Sequence, residues 1–344
     1  MRFEQIEEYA VKKSWPYYRL SQIRTAVFRQ GIYSWEEATE LPAGVRRELA
    51  ENFRILSFVP EKILVSRDSR AVKALLCLQD GLNIETVMLR RAIDQWSVCV
   101  SSQCGCPVRC IFCASGKNGL KRNLTAEEIA DQVLFWNQHM RRQNPAGRIS
   151  SVVYMGMGEP FLNYPAVSKS LRLLSDADFF GLGQRHISVS TAGHVPGMEK
   201  MARDFPQVNL ALSLHAADDG LRSRLIPLNR TYPIARLGTA LEKYLKTTNR
   251  KVFLEYALMA GVNDRPGDAR RLADLIGGLK GGRLLHVNLI RCNPVAGGQL
   301  QTGESAARKF LEILAAMRVH CTIRKSLGED IKGACGQLAG DSSE

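Results

Sequence analysis

Apolar positions change their spacing along the chain, and the changes divide it into three stretches. Over residues 1–55 the segments FEQIEEYAVKK, RLSQIRTAVFRQG and SWEEATELPAGVRRELAENF carry apolar residues at helical spacing, with Gly31 as a stop. Over 56–96 the period falls to two: KILVSRD, AVKALLCLQDG and NIETVMLRR read as strands parted by turn residues such as Asp80-Gly81. Over 97–344 strand-like and helix-like segments alternate. Strands are expected at 97–102, 150–155, 186–191, 208–214, 251–259 and 284–290, with a last one at 319–325 before a glycine-rich tail. The clearest helix start is Thr125, where TAEEIADQVLFW sets a Thr/Glu capping box ahead of apolar Ile129, Val133 and Trp136.

This alternation implies a parallel sheet with right-handed crossovers, curved into a full or partial barrel. The expected fold is α/β: a partial (βα)6 barrel over 97–344, a helical accessory domain over 1–55 and a β extension over 56–96. Chemistry in βα barrels collects in the loops at the C-terminal strand ends. A cysteine run follows the first strand there, then GMGEP (156–160), TAG (191–193), HAA (215–217) and RCNP (291–294) follow later ones.

The cysteine run, CGCPVRCIFC at 104–113, holds four of the chain's nine cysteines. A structural zinc site pairs two cysteines with a second pair or with histidines. Here Cys106-x3-Cys110-x2-Cys113 has no second Cys-x2-Cys pair after it, and Cys104 lies one residue from Cys106, on the opposite side of an extended backbone. Three thiolates instead suit a 4Fe–4S cluster with one iron left for a small chelator, such as the amine and carboxylate of an amino acid. Gly156 and Gly158 would let backbone approach that ligand, Glu159 could accept from its ammonium, and Ser190, Ser213 and Asn293 could hold its carboxylate or a ribose. A merely structural cluster is the competing reading, but it has no need of an open iron.

Composition narrows the setting. Apolar content of 45% and charged content of 24% suit a soluble globular protein, and no apolar run approaches membrane length. The N-terminus has no signal-like apolar core, and the cysteines form no paired framework, which points to a reducing cytoplasm and no membrane partner. A formal charge of +13 favours a phosphate-rich partner; basic residues cluster at 116–122, 141–148 and 222–230.

CVSSQCGCPVRCIFCASG (99–116), YMGMGEP (154–160), LSLHA (212–216), VNLIRCNP (287–294) and GACGQLAG (333–340) together resemble the RlmN/Cfr family of radical S-adenosylmethionine (SAM) RNA adenosine methyltransferases, over nearly the whole chain. The resemblance implies methylation of an adenine in 23S ribosomal RNA, extended to transfer RNA in the RlmN branch. It implies a 4Fe–4S cluster on Cys106, Cys110 and Cys113, two molecules of SAM per turnover, and an electron donor such as flavodoxin. In the implied scheme one SAM methylates Cys335. A second is cleaved reductively, and the methylene radical made on Cys335 adds to adenine. Glu85 is the implied base for the ring proton, and Cys99 attacks the Cys335 sulfur, releasing product as a disulfide forms. Implied cofactor contacts are Gly158, Glu159, Ser190, Ser213, Leu214, His215 and Asn293.

Bland alternatives stand beside these roles. Cys99 alternates with valines and reads equally as a buried inert thiol, Glu85 as a solvated strand carboxylate, and His215 as a packing residue. Cys77 and Cys321 read as core; Cys104 and Cys292 receive no role. MGMGEP and GEDIKGACGQLAG favour the RlmN branch and carbon 2 of adenine, with the Cfr branch, carbon 8 and ribosomal antibiotic resistance as the alternative. Two other classes remain open at this point: a non-enzymatic RNA-binding module with a structural metal, and a radical enzyme acting on protein or a metabolite.

Overall fold

A computed structural model of the chain describes residues 3–92, 95–144, 147–293 and 301–340. Pro294 of the RCNP loop and residues 145–146 of the basic cluster 141–148 lie outside the described residues. The strands, in chain order, are β1 Phe58–Val65, β2 Ala71–Leu78, β3 Asn83–Ala92, β4 Gln95–Cys99, β5 Gln103–Gly105, β6 Leu120–Asn123, β7 Ile149–Tyr154, β8 Ile187–Thr191, β9 Asn209–Ser213, β10 Val252–Leu258, β11 Leu285–Arg291 and β12 Cys321–Arg324.

Ten of them form one sheet in the order β1-β2-β3-β4-β7-β8-β9-β10-β11-β12. The first four pair antiparallel; from β4 to β12 every neighbour is parallel. The two end strands do not pair, so the barrel is partial, and the expected β extension is continuous with its first edge. The expected last strand becomes a seventh parallel member beside β11. The short hairpin of β5 and β6 was not anticipated; with few residues on each side it carries no readable period.

The capping box at Thr125 is present: its hydroxyl accepts from Glu128 N, and Glu128 accepts from Thr125 N. A cap of this kind is worth about 1 kcal/mol. It opens the helix Ala126–Gln143, whose Ile129, Val133 and Trp136 enter the main core beneath the sheet.

The N-terminal helices have a separate core of Ile6, Ile23, Val27, Trp35 and Leu49, joined by Leu134 from that same long helix. Gly31 ends the second helical stretch at φ +71, a left-handed angle that costs glycine little. Residues 34–53 are not one helix. A single turn at Trp35–Glu37 is separated from the helix Ala43–Asn52, because Leu41 precedes Pro42 and is thereby turned away from helical angles.

Candidate active site

The cysteine loop leaves β4 and is pinched shut by the β5–β6 hairpin, with Cys106 N donating to Gly119 O at 3.0 Å. Gly105 has φ +75, and a Cβ there would stand 1.7 Å from Gly119 O, so the pinch excludes any other residue. Downstream of it Cys106, Cys110 and Cys113 line one cavity, with Phe112 packed edge-on to His215 at 4.7 Å.

Burial pushes the Cys106 thiol up to about 12 and Cys110 well above its ordinary value, with Cys113 adding repulsion to both. Bonded to iron, such thiols give up their protons outright. Among the described residues no group of three or more His, Cys, Asp and Glu side chains stands out as a site for a single metal ion. Three thiols lining one cavity suit a cluster that keeps one iron open to a small chelator. The donor set therefore fits a 4Fe–4S group.

The wall opposite is built from the ends of successive strands. Gly156, Gly158 and Glu159 follow β7, Ser190 is the next-to-last residue of β8, Ser213 ends β9, His215 lies just beyond it, and Asn293 follows β11. The glycines also serve packing within the protein. A Cβ on Gly158 (φ +103) would meet Gln103 Cβ at 2.7 Å, and one on Gly156 would meet Val100 O at 2.7 Å. They let the loop after β7 lie against the 100–103 segment, and both line the cavity.

Glu159 is buried, its oxygens accepting from Phe161 N at 3.1 Å and Ala192 N at 2.7 Å. Burial, incompletely offset by those bonds, raises its carboxyl to about 7. Its remaining lone pairs can take an ammonium. His215 holds φ +56, and its Nδ1 accepts from Ala257 N at 2.8 Å. Burial drives it down to about 3, so the ring is neutral with its proton on Nε2. Leu214 differs from the others: its side chain lies in the main core and lines neither cavity of this site, while its carbonyl accepts from Arg222 Nε.

Cys335 lines this cavity and also a second one, where Cys99 stands. Both are free thiols. Cys335 is accessible from within the cavities yet surrounded by protein, and burial raises its thiol. Burial pushes Cys99 to about 12, with Cys335 adding to the rise and Arg324 opposing it. Cys99 is positioned from behind: Trp136 Nε1 donates to Thr86 Oγ1 at 3.1 Å, and Thr86 Oγ1 donates to Cys99 O at 2.8 Å.

The tail carrying Cys335 is stitched to the cysteine loop. Ala114 N donates to Gly336 O at 2.7 Å, Asn118 Nδ2 to Ala339 O at 2.9 Å, and Asn293 Nδ2 to Cys335 O at 3.0 Å. Glu85, on β3, is buried outside both cavities. It pairs with Lys73 at 2.8 Å and accepts from Ala339 N at 2.6 Å and Gly340 N at 3.0 Å.

Two cavity residues escaped the sequence reading. Glu255 accepts from Asn288 Nδ2 at 2.9 Å, and Arg324, which lines both cavities, lies 3.4 Å from it. Register places Ser213, Glu255, Asn288 and Thr322 side by side across β9 to β12, one polar row inside the rim. A lone carboxylate inside the apolar strand VFLEYAL was the available signal. Cys77 departs from its core reading and is only partly buried, whereas Cys321 packs against the core. Cys104 lies in the main core, and buried Cys292 lines the first cavity. Arg222, assigned by its neighbours to a basic surface cluster, has 0% exposure.

Comparisons with known proteins agree with this geometry. Residues 100–273 match the Radical SAM superfamily. A "Probable dual-specificity RNA methyltransferase RlmN" from Heliobacterium modesticaldum is 44% identical over 94% of this chain and 84% of its own. A "Ribosomal RNA large subunit methyltransferase Cfr" from Bacillus velezensis is 37% identical over 99% and 97%. Among solved structures, a radical SAM methyltransferase from Sphaerobacter thermophilus superposes with TM-score 0.92 at 40% identity, covering 99% of this chain and 98% of that one.

Proposed function

The chain belongs to the RlmN/Cfr family of radical SAM RNA methyltransferases, and on that premise we propose that it methylates carbon 2 of an adenosine in 23S ribosomal RNA, and of transfer RNA, with Cys335 as methyl carrier. Its cofactors are a 4Fe–4S cluster and SAM. The observation that carries the reading is that Cys335 borders both the cavity of the three cluster cysteines and the cavity of Cys99.

Cys106, Cys110 and Cys113 would hold the cluster; Glu159 takes the ammonium of SAM, and Gly158, Ser190, Ser213, His215 and Asn293 line the rest of its berth, with Leu214 supporting it from the core. The bound cofactors would supply radical chemistry strong enough to remove hydrogen from an unactivated methyl group, which methylation of an electron-poor ring carbon demands because that carbon cannot displace a methyl group from a sulfonium. Cys335 presents that methyl group on its sulfur. Cys99 frees the product by attacking the same sulfur, so that the carbon–sulfur bond breaks as a disulfide forms. Glu85 takes the ring proton after exchanging the N–H groups of Ala339 and Gly340 for the substrate, which couples base access to release of the tail.

Carbon 2 over carbon 8 is supported by MGMGEP and GEDIKGACGQLAG and by the higher identity to the RlmN-named relative. The charge of +13 favours RNA and an acidic electron donor such as flavodoxin. Among the described residues no helix is long and apolar enough to cross a membrane, and an RNA substrate fits the cytoplasm. The test is mass spectrometry of nucleosides from RNA reacted in vitro, with methyladenosine isomers separated. 2-Methyladenosine is expected; 8-methyladenosine would move the protein to the Cfr branch, and the absence of both isomers would overturn the reading.

A further inference from the structure

We infer that Arg222 is the buried counter-charge of the three-cysteine site, a cation that sets how readily the bound cluster accepts an electron. Arg222 lies on the helix Asp219–Leu225 and is fully buried. Its guanidinium spends its hydrogen bonds on neutral oxygens: Nε to Leu214 O at 3.0 Å, Nη1 to Asn229 Oδ1 at 2.8 Å, and Nη2 to Ala192 O at 2.8 Å and Ser213 O at 3.0 Å. Hydrogen bonds of this kind satisfy its donors but not its charge. A buried cation with no anion beside it is costly.

Two groups can offset that charge. Asp219 is reached through Asn229, whose Nδ2 donates to Asp219 Oδ1 at 2.8 Å. The cysteine loop is the second, since the guanidinium braces the carbonyls of Ala192 and Ser213 in the wall of the cavity that Cys106, Cys110 and Cys113 line. Packing agrees: Leu225, on the same helix, accepts Ile111 N from the cysteine loop at 3.2 Å and joins Cys106 and Cys110 in one apolar cluster. His215 also feels the guanidinium, but is neutral.

Three thiolates make the site anionic, and reduction by one external electron adds a further negative charge where water cannot screen it. A fixed cation stabilises the reduced state more than the oxidised one, and net charge is among the levers that set cluster potentials. The same residue ties together Ala192, Ser213 and Leu214, the rim segments that face the cofactor, so charge and bracing must be separated experimentally. The inference rests on the cluster, not on which nucleotide is methylated.

The test is an EPR-monitored redox titration of reconstituted protein without RNA or SAM, with iron per chain measured alongside. Arg222→Gln keeps a polar side chain and loses the charge; its midpoint should move to more negative potential. Arg222→Lys keeps the charge and loses the fork. Its midpoint should match wild type at about pH 6 and drift negative relative to wild type by about pH 9, because a buried ammonium sheds its proton far more readily than a guanidinium. The inference is overturned if Arg222→Gln leaves the midpoint unmoved, or if Arg222→Lys departs from wild type equally at both pH values. Should Arg222→Gln fail to take up iron, the pH dependence of Arg222→Lys decides alone. Wild-type protein that takes up no iron would overturn the inference together with the cluster.

Discussion

Asn293 donates from its side-chain amide to the backbone carbonyl of Cys335 at 3.0 Å, while its own Oδ1 is buried without a hydrogen-bond partner among the described residues. One side chain thus holds the methyl-carrier loop and presents a free acceptor in the wall of the cluster cavity. An unpaired buried acceptor is costly, and its cost is recovered when a ligand donor reaches it. Asn293→Ala should release the loop without removing a cluster ligand. Alkylation of Cys335, followed by peptide mass spectrometry, should become several-fold faster at unchanged iron content; an unchanged rate would remove the anchoring role.

The two distant cysteines should fail differently. Cys335→Ala should bind its cluster yet leave RNA neither methylated nor trapped. Cys99→Ala should form the carbon–sulfur link and stall, so that RNA stays attached to the protein on a denaturing gel. The thioether has no route out until another thiolate attacks its sulfur. Both variants should fold, since neither thiol is assigned to iron. Normal turnover by Cys99→Ala would end its resolving role, and normal turnover by Cys335→Ala would end the carrier mechanism.

Lys73 and Glu85 form a buried pair that also holds the tail, Lys73 Nζ donating to Lys332 O at 3.3 Å. Removing one member strands the other. Lys73→Met should destabilise the fold by about 3–5 kcal/mol. The double variant Lys73→Met/Glu85→Gln should recover part of that loss, because the stranded charge is gone. Denaturant melts of the four proteins would show the coupling; additive losses would mean that the pair acts through the two residues separately.

Glu159 links stability to pH in protein stripped of metal and cofactor. Its carboxyl is raised from an ordinary 4.5 to about 7 by burial. Below the unfolded value both states hold the proton. As pH rises towards 7 the unfolded chain loses it first, so the stability tied to the folded state's proton is lost, on the order of 3 kcal/mol in all. The fall should be complete once pH passes the folded value. Glu159→Gln should lack this slope when urea melts are compared across that window, and a slope identical to wild type would mean the carboxyl is ionised in the fold.

Much of this protein was legible before any fold was known, because the relevant signals are local. Strand-like runs marked β7 to β11 within a residue or two, the Thr125–Glu128 box marked a helix start, and the spacing of Cys106, Cys110 and Cys113 marked a cluster loop. Each of these depends on residues a few positions apart, where backbone geometry alone relates spacing to direction.

The remainder was decided by which segments the sheet order brings together. Periodicity says which face of an element is buried, but not what it is buried against. Cys335 borders the cysteine loop because β12 delivers the tail to the same rim, where Ala114 and Asn293 fasten it. Glu85 looked like an ordinary strand carboxylate until that tail arrived to occupy it. Arg222 shows the limit most directly. Its neighbours Arg224 and Arg230 are exposed, as a basic cluster should be, and nothing local distinguishes a guanidinium facing water from one facing carbonyls. Only closure of the loops after β8 and β9 around it makes that difference, since their carbonyls replace the water that a buried charge would otherwise lack.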